Sequence, residues 1–180
     1  MFIQSQRLLL RPVTEQDTDA LFRIYGDPAT NTFNPAGPHP DRAHSERVMA
    51  RWLAHWQEKG FGNWAVSTPD SPERVLGFGG LSISNFGGLL INNLGYRFAT
   101  EAWGKGYATE FAKRALRYGF ETLGLEEISA GVRAHHHASR NVLLKAGLAL
   151  CGTVDDVAHA PPSLLFNLKA ADWRQRQAAE

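Results

Sequence analysis

Gly104-Lys105-Gly106 stands between a strand-like run and a helix-like run, a spacing suited to holding an anion. A helix that opens directly after glycine leaves its first N–H groups unpaired and presents the positive end of its dipole. Glycine also removes the Cβ atoms that would keep a phosphate from the backbone and permits positive φ. The same spacing equally serves a plain tight turn. Other groups able to do chemistry are Ser139, the three histidines His135, His136 and His137, the single cysteine Cys151, and Asp155 with Asp156. Successive side chains diverge, so at most two of the histidines could share an ion, and no carboxylate or thiolate lies alongside. No metal is expected. Cys151 reads as a small buried residue following the Gly147 turn, since nothing near it forms a catalytic thiol's partner set.

The elements that must position these groups follow from periodicity. Along Leu94 to Glu110, Tyr96 and Phe98 alternate with Arg97 as in a half-buried strand, and from Ala108 a period near 3.6 takes over. Ala108, Phe111, Ala112, Ala115, Leu116, Gly119, Phe120 and Leu123 then share one helical face; Glu110, Lys113, Arg114, Arg117 and Glu121 take the other. Two other phosphate loops fit poorly. No GxxxxGK followed by Ser or Thr occurs, and a dinucleotide fingerprint would need Gly or Ala where Thr109 stands, early in a run of parallel strands.

In chain order, Arg7 to Val13 reads as a first strand, and Thr14 with Asp17 as a capping box opening a helix that ends near Gly26. Asp27 to Pro40 carries four prolines and little periodicity, so it is expected to be a long loop of the kind that shapes a binding site. A helix over Asp41 to Lys59 follows, with Trp52 and Trp56 on its apolar stripe as core or as pocket lining. Strands are expected at 61–68, 75–84 and 91–98, then the central helix, a strand at 128–133, a short helix, strands at 148–154 and 163–168, and a tail helix near 171–177. A strand, helix and strand in sequence imply a parallel neighbour. With 180 residues, 43% apolar, and no internal repeat, residues 1–180 read as one domain.

A net charge of +1 gives no electrostatic case for nucleic acid or an anionic membrane. One cysteine excludes an internal disulfide, and no apolar run approaches the ~20 residues of a membrane span. The N-terminus lacks a charged region leading into an apolar core, so a cytoplasmic protein is expected.

Trp103-Gly-Lys-Gly-Tyr-Ala-Thr-Glu110 resembles the acyl-CoA loop of the GNAT N-acetyltransferases, specifically the branch that acetylates ribosomal-protein N-termini. The family pattern Gln/Arg-x-x-Gly-x-Gly/Ala lands on Trp103, Gly106 and Ala108, with Trp in place of Gln or Arg. The opening Arg7-Leu-Leu-Leu-Arg-Pro12 resembles the start of that branch. The run from His135 to Leu148 resembles the second signature, Asn-x-Ala-Ser followed by a helix ending Lys-x-Gly-Phe. Ala138, Ser139, Lys145 and Gly147 match it; His136 replaces Asn and Leu148 replaces Phe.

The resemblance implies an α+β GNAT fold: a mixed, mostly antiparallel twisted sheet of about seven strands with a splayed parallel central pair, flanked by about four helices. It implies that Trp103 and the N–H groups of Gly104, Lys105, Gly106, Tyr107, Ala108 and Thr109 bind the pyrophosphate of acetyl-CoA. It implies that His136 and Ser139 lie along the pantetheine arm, and that a strand N–H at Phe98 or Ala99 receives the developing carbonyl charge. The acceptor is an amine, on a small molecule or a protein N-terminus. A terminal α-amine of pKa about 8 needs only weak base help, for which Asp155, Asp156 and His135 are the candidates. Many relatives place Tyr four residues after the motif serine to protonate the leaving sulfur; here that position is Leu143, which makes Ser139 the candidate donor. Ser139 could equally cap the short helix. A catalytically silent CoA-binding sensor, or a transferase for another acyl-CoA, stays open, as does assembly into a homodimer.

Overall fold

The computed structural model describes residues 2–180. Its order is β1 (Ile3–Gln4), β2 (Leu9–Pro12), α1 (Thr18–Tyr25), α2 (Arg42–Lys59), β3 (Asn63–Ser67), β4 (Gly77–Phe86), β5 (Leu89–Phe98), α3 (Tyr107–Arg117), β6 (Glu127–Arg133), α4 (His137–Ala146), β7 (Ala149–Val154), β8 (Ser163–Lys169) and α5 (Ala170–Ala179). The strands form one sheet in the order β1-β2-β3-β4-β5-β6-β8-β7. Eight strands stand where about seven were expected; the extra one is the two-residue β1, too short to show a period. Five α-helices stand against about four.

All neighbours pair antiparallel except β5 and β6, which are parallel. That parallel pair registers only at Asn93 opposite Ser129, whereas β4 and β5 stay in register from Gly77–Phe98 to Phe86–Leu89. The two central strands therefore part beyond Asn93, as a splayed pair must. Asn92 Nδ2 donates to the Glu127 carbonyl at 3.0 Å and pins the closed end.

Strand alternation supplies a core on each face of the sheet. Trp64, Val66, Leu81 and Phe98 pack with Phe111, Ala115 and Leu116 of α3 on one side, while Ala65 and Phe78 pack with Leu21, Ile24 and Met49 of α1 and α2 on the other. Trp52 lies against Tyr25 and Phe78, and Trp56 against Trp64, so both belong to the core. The expected capping box is present: the Thr14 N–H donates to Asp17 Oδ2 at 2.8 Å, and Arg11 clasps the buried Asp17 with two bonds of 2.8 and 2.7 Å. One carboxylate thus fixes the start of α1 to β2. Cys151 departs from expectation: β7 is an edge strand whose residues face solvent, and Cys151 is exposed. Among the described residues no helix is long and apolar enough to cross a membrane.

Candidate active site

At the end of β5 the chain turns through Gly104 and Gly106, whose φ values of +74° and +79° lie in the left-handed region that side chains disfavour. Gly106 is the N-cap of α3. The first amide to find a carbonyl is that of Glu110, which donates to Gly106 at 3.1 Å. Among the described residues the six preceding amides, from Gly104 to Thr109, have no acceptor within the chain. Six neighbouring donors at the positive end of an eleven-residue helix are what an anion requires.

The turn is fixed by residues about a hundred positions away. Arg7 Nη1 donates to the Lys105 carbonyl at 2.7 Å, and Arg7 Nε and N–H donate to the two oxygens of Glu110, each at 2.7 Å. Ser5 Oγ donates to the same carboxylate, and the Arg7 guanidinium lies 4.8 Å over the Tyr107 ring. Burial alone would raise the Glu110 pKa, but the hydrogen bonds from Ser5 and Arg7 outweigh it and hold the carboxyl below its usual range. Sequence reasoning missed Arg7 and Ser5 because no local pattern marks so distant a contact.

From this turn a groove of about 760 Å³ runs between the parted strands, past Tyr96, Ala130 and Val132, to the loop bearing Phe33, Asn34 and Pro35. Trp103, Gly104, Gly106, Tyr107, Ala108, Thr109, Phe98, His136 and Ser139 all line it; Lys105, Ala99 and His135 do not. The Ala99 N–H is already given to the Leu76 carbonyl at 2.8 Å. Since successive amides on a strand point in opposite directions, the Phe98 N–H then faces the gap beside β6. Of the two candidate carbonyl-stabilising donors, the geometry leaves Phe98 available. The Phe98 carbonyl accepts from the Trp103 indole N–H at 3.0 Å, which ties the motif's first residue to the end of β5.

Ser139 is not a helix cap. It is the third residue of α4, whose N-cap is His136, and its hydroxyl lies 3.0 Å from that of Tyr96. Burial pushes the Tyr96 pKa up to about 12, partly offset by the Ser139 bond, so the phenol keeps its proton at physiological pH. Tyr96 was legible only as an inward-facing strand residue; its partner lies 43 positions on. The buried Leu143 also lines the groove.

The His136 ring stacks on Phe33 with centroids 4.2 Å apart, and His135, which is exposed, meets the same ring at 5.2 Å. The proline-rich loop thereby closes over the end of β6. Burial first, then the neighbouring His135 and Arg97, lower the His136 pKa. Of the two acids considered as bases, Asp156 lines the groove and lies 3.4 Å from Arg133, while Asp155 does not line it.

The chain matches known proteins in sequence and in fold. The family model described as an acetyltransferase (GNAT) domain matches residues 7–149. The uncharacterized N-acetyltransferase YoaA of Bacillus subtilis is 28% identical over 147 residues, covering 81% of each chain. An acetyltransferase (GNAT family) from Bacillus anthracis superposes with a TM-score of 0.79 at 20% identity, over 95% of this chain and 99% of that one. Spermidine N-acetyltransferase from Vibrio cholerae, solved with CoA and spermine, superposes with a TM-score of 0.75 at 15% identity, over 94% and 99%.

Proposed function

Because the chain belongs to the GNAT acetyltransferase family, we propose that it transfers an acetyl group from acetyl-CoA to a primary amine by direct attack in a ternary complex. The observation that carries this reading is the row of six amides, Gly104 to Thr109, without an acceptor among the described residues, beside a groove between parted strands that all of these residues but Lys105 line. A pyrophosphate fits such a row, and an extended pantetheine arm fits a gap flanked by strand edges, which it joins much as an added strand would. Acetyl-CoA supplies the activated acyl carbon as a thioester.

The chain's own residues then have distinct tasks. The Phe98 N–H, turned into the gap, stabilises charge developing on the carbonyl oxygen. The Tyr96 and Ser139 hydroxyls, 3.0 Å apart, form a donor pair for the departing sulfur. With its proton held until pH about 12, Tyr96 serves as donor and not as base. The N-terminus of α4 reaches the groove at Ala138 and Ser139, and its dipole favours the same negative charge. These groups favour turnover over a silent CoA sensor. Asp156 is the carboxylate in position to take the amine proton, directly or through water. Trp103 and a motif serine without the usual Tyr favour the branch that acetylates ribosomal-protein N-termini, and the neighbour solved with spermine keeps small amines as the other acceptor class.

Calorimetry with acetyl-CoA, CoA and NAD tests the cradle; both CoA species should bind and NAD should not. Thiol release over a panel of amines and N-terminal peptides tests the transfer. Binding of NAD without CoA would overturn the cradle, and tight CoA binding with no thiol release on any amine would overturn the enzyme.

A further inference from the structure

We infer that the acceptor is a small-molecule amine that carries a carboxylate close to its amino group, in preference to a protein N-terminus, and that Arg97 binds it; this deepens the acetyl-transfer reading and rests on it. Arg97 lies on β5 between Tyr96 and Phe98, so its side chain leaves the opposite face of the sheet from theirs. Tyr96 and Phe98 meet Phe111 of α3 on the side where the amide row opens, whereas Arg97 meets Tyr25 and Asn31 on the side of α1 and the proline-rich loop. Arg97 nevertheless lines the same groove. An acceptor that approached the groove from the face opposite the amide row would meet Arg97.

Its mounting is rigid and neutral. The guanidinium lies 4.3 Å over the Tyr25 ring, and Nη1 donates to Asn31 Oδ1 at 2.9 Å. Asn31 is itself buried, and its amide donates to the carbonyls of Tyr25 and Asp27, each at 2.8 Å. Among the described residues no Asp or Glu forms a salt bridge with Arg97. The groove-lining carboxylate, Asp156, already pairs with Arg133 at 3.4 Å, and burial first and then His135 and Arg97 favour the neutral form of His136. Arg97 therefore presents an uncompensated positive charge with several N–H donors to spare. A planar carboxylate satisfies such a fork with two parallel bonds, while a di- or polyamine would bring a second cation towards it.

The test is kcat/KM for a panel of α-amino acids, each set against the amine that lacks only its carboxylate, with putrescine and spermidine as a dication and a trication. The carboxylate-bearing member should be favoured roughly 10- to 100-fold, the range of a charged hydrogen-bonded contact. Arg97→Gln should abolish that ratio, Arg97→Lys should keep part of it, and the Kd for CoA should stay unchanged in both. Should Arg97→Gln fail to fold, Asn31→Ala loosens the mounting and should raise KM for the carboxylate-bearing member alone. Preference for the plain amines or the polyamines, or a ratio indifferent to Arg97, overturns the inference. If CoA binds and no amine is acetylated, the transfer reading fails by itself. Calorimetry of the amino acids on the CoA-loaded protein then decides: binding lost in Arg97→Gln supports the carboxylate site, and no binding refutes it.

Discussion

Replacing Gly106 by valine tests the amide row directly. Space is not the obstacle, since a Cβ there would meet only the far end of Arg7, with Nη2 at 3.3 Å. Conformation is: Gly106 sits at φ 79°, ψ 10°, a region that costs a side-chain-bearing residue about 1–2 kcal/mol and a β-branched one more. If the turn leaves that region, the amides on either side no longer converge. Losing one or two hydrogen bonds to a charged phosphate, at about 2 kcal/mol each, should weaken CoA by about 2–4 kcal/mol, or roughly 30- to 1,000-fold. If the turn instead keeps its shape, the strain appears as a lower Tm and the affinity survives. Calorimetry and thermal unfolding on one sample separate the two cases. Gly60→Val is the matched control, because Gly60 closes α2 at φ 78° with nothing within 4 Å of its Cβ position. It should lower Tm and leave CoA affinity alone. A folded Gly106→Val protein with both Tm and CoA affinity of the parent would refute the reasoning.

Tyr96→Phe and Ser139→Ala should each lower kcat at saturating acetyl-CoA by roughly 10- to 100-fold, and the double variant should cost less than the product because the hydroxyls act as a bonded pair. With Tyr96 protonated up to pH about 12, kcat/KM should climb as the acceptor amine deprotonates and show no alkaline fall before pH 10; a fall between 8 and 10 would remove Tyr96 as donor. His39 is pulled down to about 4 by burial first and then by His44, Arg97 and Arg51, so between 6.5 and 4 the unfolded chain binds a proton that the folded one resists. Stability should therefore fall as pH drops through that window, and Tm measured against pH should be flatter in His39→Gln. Asp17→Asn leaves Arg11 without its buried partner and should cost about 2–4 kcal/mol, read as a Tm lower by roughly 5–15 °C with CoA binding intact.

What could be read from the chain was whatever local spacing determines. Gly104 and Gly106 announce a left-handed turn whichever ligand uses it, and the shift from alternation at Tyr96 to a 3.6-residue period after Ala108 locates the strand and helix around it. Contacts across long separations stayed hidden. Arg7 bonding Lys105, Tyr96 bonding Ser139 and Asn31 bonding Arg97 depend on how strands are ordered, which no window of ten residues contains. Ladder parity was equally out of reach: whether Phe98 or Ala99 offers a spare amide turns on which of them faces β4. Cys151 was misjudged because burial was inferred from residue type, and an edge strand's outer face overrides that preference.

The single point of register between Asn93 and Ser129 divides the sheet into a five-strand leaf and a three-strand leaf that meet over a short seam. Whatever fills the cleft rivets the leaves together, so the donor would act as a missing structural part as well as a reactant. Each hundredfold excess of it over its dissociation constant adds about 2.7 kcal/mol of resistance to unfolding. The folded lifetime of this protein would then rise and fall with the supply of its own acyl donor.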